Sequence, residues 1–317
     1  MRGFMLRIVI SGFCLFLSLS AHAADPVARL PYRLDYGGWF TVSATVNGQG
    51  PYDFIIDTGS SHSLVFENLA AVQAFQLSGD PPRTVLGLSS SHPHPTYFVG
   101  DIALGPVTLK DATTVILADW TVGDRSPQGV IGLDLLKNYR VVFDAETRDI
   151  FLYAAEADLG PTFGNWRRAP LETAEFDREA GELFTITARL NRSSTRFLLD
   201  LGASGTVINR TAYNKATQNQ TAIRIAPLTS TTPIGRVTDA LDTTVKAQTA
   251  RMARVRAGEM TWGGVVMVVH NAQIFADLGV AEEPFGLFGA DMLRDRSFML
   301  DFPGRSLLVG PKANNNS

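Results

Sequence analysis

The sequence predicts an all-β fold built from two similar lobes related by a pseudo-twofold axis, with a few short helices. Three observations carry that expectation. Most segments are short, alternate apolar with polar residues, and are rich in Val, Ile, Thr and Phe between closely spaced turns. The second half of the chain repeats the first in the same order. The single cysteine, Cys14, lies in an amino-terminal leader, so the rest of the chain has no thiol and must fold by packing alone.

The leader comes first. Arg2 and Arg7 flank the start of an apolar stretch, Ile8 to Leu19, and Ala21-His22-Ala23 supplies small residues for a signal peptidase. Residues 1–23 are therefore expected to be a cleaved signal peptide, which implies a periplasmic or secreted protein. Cys14 follows bulky Phe13 and does not suit lipid attachment.

The repeat is read next. Phe40-Thr41-Val42-Ser43-Ala44-Thr45-Val46-Asn47 matches Phe184-Thr185-Ile186-Thr187-Ala188-Arg189-Leu190-Asn191. A polar turn and an apolar run follow in each half, Phe54-Ile55-Ile56 and Phe197-Leu198-Leu199. Each run ends on an aspartate: Asp57-Thr58-Gly59-Ser60-Ser61, then Asp200-Leu201-Gly202-Ala203-Ser204. Gly105 and Gly258 mark turns between alternating segments. Gly129-Val130-Ile131-Gly132-Leu133-Asp134 pairs with Gly286-Leu287-Phe288-Gly289-Ala290-Asp291. The spacing from Gly132 to Asp144 and from Gly289 to Asp301 is 12 in both. Four matches in one order identify a duplication, with a unit far longer than a solenoid repeat. The expected organisation is a first lobe over 24–155, a linker over 156–180 marked by Gly160, Pro161, Gly164 and Pro170, a second lobe over 181–310, and a disordered tail over 311–317. Helices are expected at Glu67 to Phe75 and Arg210 to Ala216, after the aspartate motifs, and at Leu133 to Asn138 and Ala290 to Asp295.

Charge narrows the function. The chain has 28 basic and 31 acidic residues, and loss of the leader's two arginines gives 26 − 31 = −5. That balance points away from nucleic acid or an anionic membrane as partner, and no second apolar run reaches transmembrane length. A solitary buried carboxylate takes up a proton. Two carboxylates in one site share one: the ionised member accepts a proton from water while the protonated member polarises a carbonyl. A pseudo-twofold bringing Asp57 to Asp200 would build that site without metal or cofactor.

The apolar run ending in Asp57-Thr58-Gly59-Ser60-Ser61, the helix, the glycine-bearing hairpin and the apolar-Ile131-Gly132-x-Asp134-x-Leu136 segment, met twice, resemble the retropepsin-like aspartic peptidase family of bacteria. The resemblance implies two retropepsin-like lobes, or alternatively one fused pepsin-like body with a long cleft. It implies a single chain acting as an intramolecular pseudo-dimer, peptide or protein substrates, Asp57 and Asp200 as catalytic residues, and Thr58, Gly59, Ser60, Leu201, Gly202 and Ala203 as loop support. It also implies flap hairpins marked by Gly87 and Gly235. The family carries Thr or Ser after each aspartate, whose hydroxyls bond across the interface. Leu201 departs from that pattern, which keeps open a peptide-binding chain with weak or no cleavage.

Other signals carry less. His92-Pro93-His94 has no carboxylate or cysteine companions to complete a metal site and reads as a loop. His62 is too near Ser60 and Ser61 in sequence for a triad. Asp134 and Asp291 read as helix caps, Asp144 and Asp301 as strand-end pairs, and Tyr97 as a packing residue. Trp39, Trp120, Trp166 and Trp262 show no functional spacing.

Overall fold

The computed structural model describes residues 24–35, 38–87, 90–119, 126–176, 181–218, 234–238 and 244–312. The signal segment, Trp120, and the end of the tail lie outside them. As expected, the chain is mainly β, and the repeated sequence segments become equivalent strands. Phe40–Val46 and Gln49–Ile56 form an antiparallel pair in the first half, and Glu182–Leu190 and Ser193–Leu199 do so in the second. The asparagine closing each repeated strand explains the tight turn. Asn47 and Asn191 adopt φ of 51° and 55°, a left-handed conformation that asparagine tolerates. Their side chains accept from Asp101 N at 3.0 Å and Arg254 N at 3.2 Å, pinning each hairpin to the next strand pair. Gly105 and Gly258 hold equivalent turns at φ 57° and 52°.

The two lobes are fused through one sheet. A 13-stranded sheet runs from the first lobe into strands of the second, and an 8-stranded sheet completes the second lobe. The junction is the antiparallel pairing of Tyr139–Asp144 with Arg296–Asp301, in which Val142 faces Met299 and Phe143 faces Phe298. Phe143 and Phe298 stack with centroids 4.3 Å apart, and Phe40 packs edge-on against both. Arg140 and Asp301 are cross-strand partners there, with an ion pair at 3.3 Å. Asp144 accepts from Glu146 N at 2.8 Å and closes its own turn.

Two boundaries differ from the sequence expectation. Segment 156–180 is not an extended linker: it holds the helix Gly160–Phe163, the strand Arg167–Pro170 paired with Ser306–Lys312, and the strand Glu172–Glu175 paired with Glu182–Leu190. Exposure alternates along Arg168-Ala169-Pro170-Leu171, with Ala169 and Leu171 buried, and a proline is compatible with an edge strand as well as a linker. The last strand also runs through Pro311 and Lys312, two residues into the segment read as tail. The first strand, Ala28–Leu34, pairs on one side with Asp149–Ala154 and on the other with Phe40–Val46. The helices fall where expected; Glu67–Ala70, Leu133–Leu136 and a 3-10 turn at Ala290–Met292 are shorter, and Arg210–Thr217 is one residue longer.

The stacked pair at the junction supports both lobes. Phe298→Ala is expected to cost about 3–5 kcal/mol. Urea unfolding followed by tryptophan fluorescence and by circular dichroism should show one coincident transition moved to lower denaturant. Loss of the second lobe alone would contradict the shared core.

Candidate active site

Each aspartate sits where an apolar strand ends. Phe54, Ile55 and Ile56 are buried, as are Phe197, Leu198 and Leu199, so the chain carries Asp57 and Asp200 out of the core at one level. A parallel neighbour fixes each strand end: Gly129–Ile131 beside Phe54–Ile56, and Phe285–Phe288 beside Arg196–Leu199. The equivalent bonds Asp57 N to Ile131 O (3.0 Å) and Asp200 N to Phe288 O (3.1 Å) set the depth of the two side chains.

The two carboxyls lie close enough to influence each other's protonation, each against the glycine of the opposite lobe. Asp57 Oδ1 accepts from Gly59 N at 2.7 Å and from Gly202 N of the opposite lobe at 3.2 Å. Asp200 Oδ1 accepts from Ala203 N at 2.8 Å. Gly59 and Gly202 are required for closeness, not for turning, since neither has a positive φ. A methyl group at Gly59 would lie 2.7 Å from the Asp200 carboxyl carbon, and one at Gly202 would collide with the Asp57 carboxyl. Each lobe thus offers a bare backbone to the other lobe's acid.

The environments of the two acids differ. Burial raises Asp57, and this is opposed by the Gly59 N–H, the bond to Asp200 and the Gly202 N–H. Burial and then the charge of Asp57 hold Asp200 well above the ordinary carboxylate range. Both acids are thus pushed toward the protonated form, and they titrate as a coupled pair.

The position after the aspartate resolves the mismatch between the halves. Thr58 is fully buried; its hydroxyl donates to Leu199 O at 2.8 Å and accepts from Leu201 N at 3.0 Å. It needs no hydroxyl partner on the other side, because it bonds backbone. The Leu201 side chain, also 0 % exposed, packs in the main core. Trp39 adds a second tie between lobes, donating from Nε1 to Gly202 O at 2.5 Å. Sequence reading passed over Trp39; its only signal was an aromatic next to the repeated strand.

The loops are braced from behind by a second repeated constellation. Gly132 N donates to Ser63 Oγ (3.0 Å) and Gly289 N to Thr206 Oγ1 (3.2 Å). Ser63 Oγ donates to Asp134 (2.7 Å) and Thr206 Oγ1 to Asp291 (2.8 Å). Asp134 and Asp291 are thus not helix caps but clamps on the loops, and burial raises Asp291 above the usual range. Ser60 and Ser61 do not form a triad with His62: the Ser60 hydroxyl donates to His62 O, and Ser61 Oγ lies 2.9 Å from His62 Nδ1.

The flap positions differ between halves. Arg83–Leu86 and Ser91–His94 form a two-stranded hairpin, with Gly87 N bonded to Ser90 O at 2.9 Å at its turn. The hairpin lies beside the helix Gln273–Asp277 of the second lobe, and Ser91 Oγ donates to Asp277. His92 and His94 belong to this hairpin, not to a loop. Gly235 lies in one arm of a second hairpin: the strand Ile234–Thr238 pairs antiparallel with Thr244–Ala257, with Gly235 opposite Ala247, and the connection over 239–243 is outside the described residues. Tyr97 is half-buried in the strand Thr96–Leu104.

Two predictions follow from this geometry. Thr58→Val leaves Leu199 O and Leu201 N–H buried and unpaired, and is expected to cost about 1–3 kcal/mol for each group left unsatisfied, read from urea midpoints. Because the Asp200 carboxyl is raised in the folded chain, the folded state binds its proton more tightly than the unfolded one. The resulting stability is complete below the ordinary carboxylate range and is lost as pH rises through the raised value. Asp200→Asn should flatten that part of the pH–stability curve; an unchanged curve would refute the raised proton affinity.

Comparison with known proteins agrees with this architecture. A search of curated proteins found no match. Among solved structures, the chain is similar to the aspartic proteinase from Irpex lacteus, with a TM-score of 0.51 and 15% identity over 92% of this chain and 98% of that one, a likeness of fold. The family described as aspartyl protease matches residues 42–135 and again 186–292, one match per lobe and together more than half of the sequence. These two matches, one in each half of the chain, identify it as a member of the aspartyl protease family.

Proposed function

We propose that this protein is an endopeptidase that hydrolyses peptide bonds with a water activated between Asp57 and Asp200. The observation that carries the reading is the reciprocal fit of the two acids: each carboxyl occupies the space that the glycine of the opposite lobe leaves open. Asp57, with N–H donors from both lobes, serves as the base, and Asp200 as the acid. Asp57 takes a proton from water as the oxygen attacks the scissile carbonyl carbon, and Asp200 gives its proton to the carbonyl oxygen. Collapse of the tetrahedral intermediate breaks the C–N bond. Asp57 then passes its proton to the leaving nitrogen, and Asp200 recovers one from the intermediate's hydroxyl.

A cleft leads from Asp57 under the flap hairpin, bounded on the far side by Ile274 and Leu278 of the second lobe. It is an entry for an extended peptide. The reading includes export by the signal segment and action as a single chain whose lobes stand in for two subunits. The competing reading, peptide binding with little cleavage, drew on Leu201, and the backbone bonds of Thr58 to Leu199 and Leu201 remove its main support.

The test is incubation with a mixed peptide library, with cuts mapped by mass spectrometry. The wild-type chain is expected to cut on the acidic to near-neutral side, and Asp57→Asn and Asp200→Asn are each expected to lower the rate by about 10²-fold or more. Cleavage by Asp200→Asn at the wild-type rate would refute the pair.

A further inference from the structure

The cleft beside Asp57 carries a polar edge at Ser60, Ser61 and His62, and apolar walls elsewhere. Val85 and Leu86 of the flap hairpin, Val115 and Leu117 of the strand below it, and Ile274 and Leu278 from the second lobe face the same space. Into that lining projects a single permanent cation, Arg83, at the base of the hairpin. Its Nη1 donates to Thr113 O at 2.8 Å, and no carboxylate among the described residues forms an ion pair with it. The nearby acids are engaged elsewhere: Asp277 accepts from Ser91, and Asp134 accepts from Ser63.

An arginine left without a counter-ion beside apolar walls is an incomplete arrangement. One nitrogen is anchored to backbone, so the planar fork is oriented while its remaining N–H groups stay available to a carboxylate. His62 lines the same cleft. Burial and then the charge of Arg83 lower its proton affinity, so Arg83 supplies the positive charge there.

We propose that Arg83 forms a carboxylate-binding subsite, and that the cleft selects peptides in which an acidic group lies next to a large apolar side chain. The acidic group is either an Asp or Glu side chain or the peptide's terminal carboxylate. Both present the same planar anion to the guanidinium, and the apolar neighbour fills the space under Leu86 and Leu278. This deepens the peptidase reading by naming a substrate class, and it rests on that reading only for turnover.

The test is binding, not cleavage. Peptides with a reduced, non-cleavable central bond and a fixed apolar residue are titrated into the mature chain by calorimetry, with Glu or Gln scanned over the flanking positions. Each is made with a free and an amidated carboxyl terminus. At one position Glu is expected to bind about five- to tenfold more tightly than Gln at low salt, and this preference should shrink as salt is added. In Arg83→Gln, which keeps a donor for Thr113 O, the preference should vanish while the all-neutral peptide binds as before. Arg83→Lys should retain part of it. A difference that follows amidation alone would assign the subsite to the terminal carboxylate. Equal binding of Glu and Gln peptides at every position and both termini, or a preference that survives Arg83→Gln, overturns the proposal. Selective binding without any cleavage of the ordinary peptides would leave the subsite standing and refute the peptidase reading.

Discussion

Two acids in one place are the constraint on which the rest of this molecule depends. Charge repulsion and burial oppose bringing Asp57 and Asp200 together, and the surrounding structure must offset both. It does so with backbone: N–H groups from Gly59, Gly202 and Ala203 face the carboxyls, and the two glycines leave room for the opposing acid. Backbone donors held by neighbouring strands need not reorganise when charge moves between the acids, which is what a site for proton transfer requires.

The brace behind the site is nearly symmetric and the grip across it is not. Ser63 with Asp134 and Thr206 with Asp291 perform one task in each lobe. By contrast, Thr58 reaches across to Leu199 and Leu201, while Leu201 turns into the core. The symmetric parts fix where each loop lies, and the asymmetric parts distinguish the two acids. Asp57 receives backbone donors from both lobes, and Asp200 accepts from Ala203 of its own. A perfectly symmetric site would leave the choice of base and acid open.

Much of this was legible in the sequence, for a physical reason. Strand alternation and the repeated Asp-x-Gly motif record local constraints, and a duplication prints each one twice. That is how Asp57, Asp200, Gly59 and Gly202 could be named before any coordinates. The role of those glycines was less legible, because close approach by a residue 141 or 145 positions away leaves no local mark. The same holds for Trp39, whose partner Gly202 is 163 residues distant. Leu201 read as a missing hydroxyl because side chains are visible in a sequence and backbone partners are not. Segment 156–180 read as a linker because its strands are edge strands, and one of them, Arg167–Pro170, is defined by a neighbour from the far end of the chain.

The placement of the outermost strands bears on how the chain comes into being. Ala28–Leu34 finds its partner at Asp149–Ala154, and Tyr139–Asp144 is completed only by Arg296–Asp301. A growing chain therefore has no finished barrel until about half of it has emerged, and no finished junction until almost all of it has. Pairing over such separations is slow, because loop closure must precede the contacts that reward it. A polypeptide with this wiring closes its two acids together only once its final strands arrive.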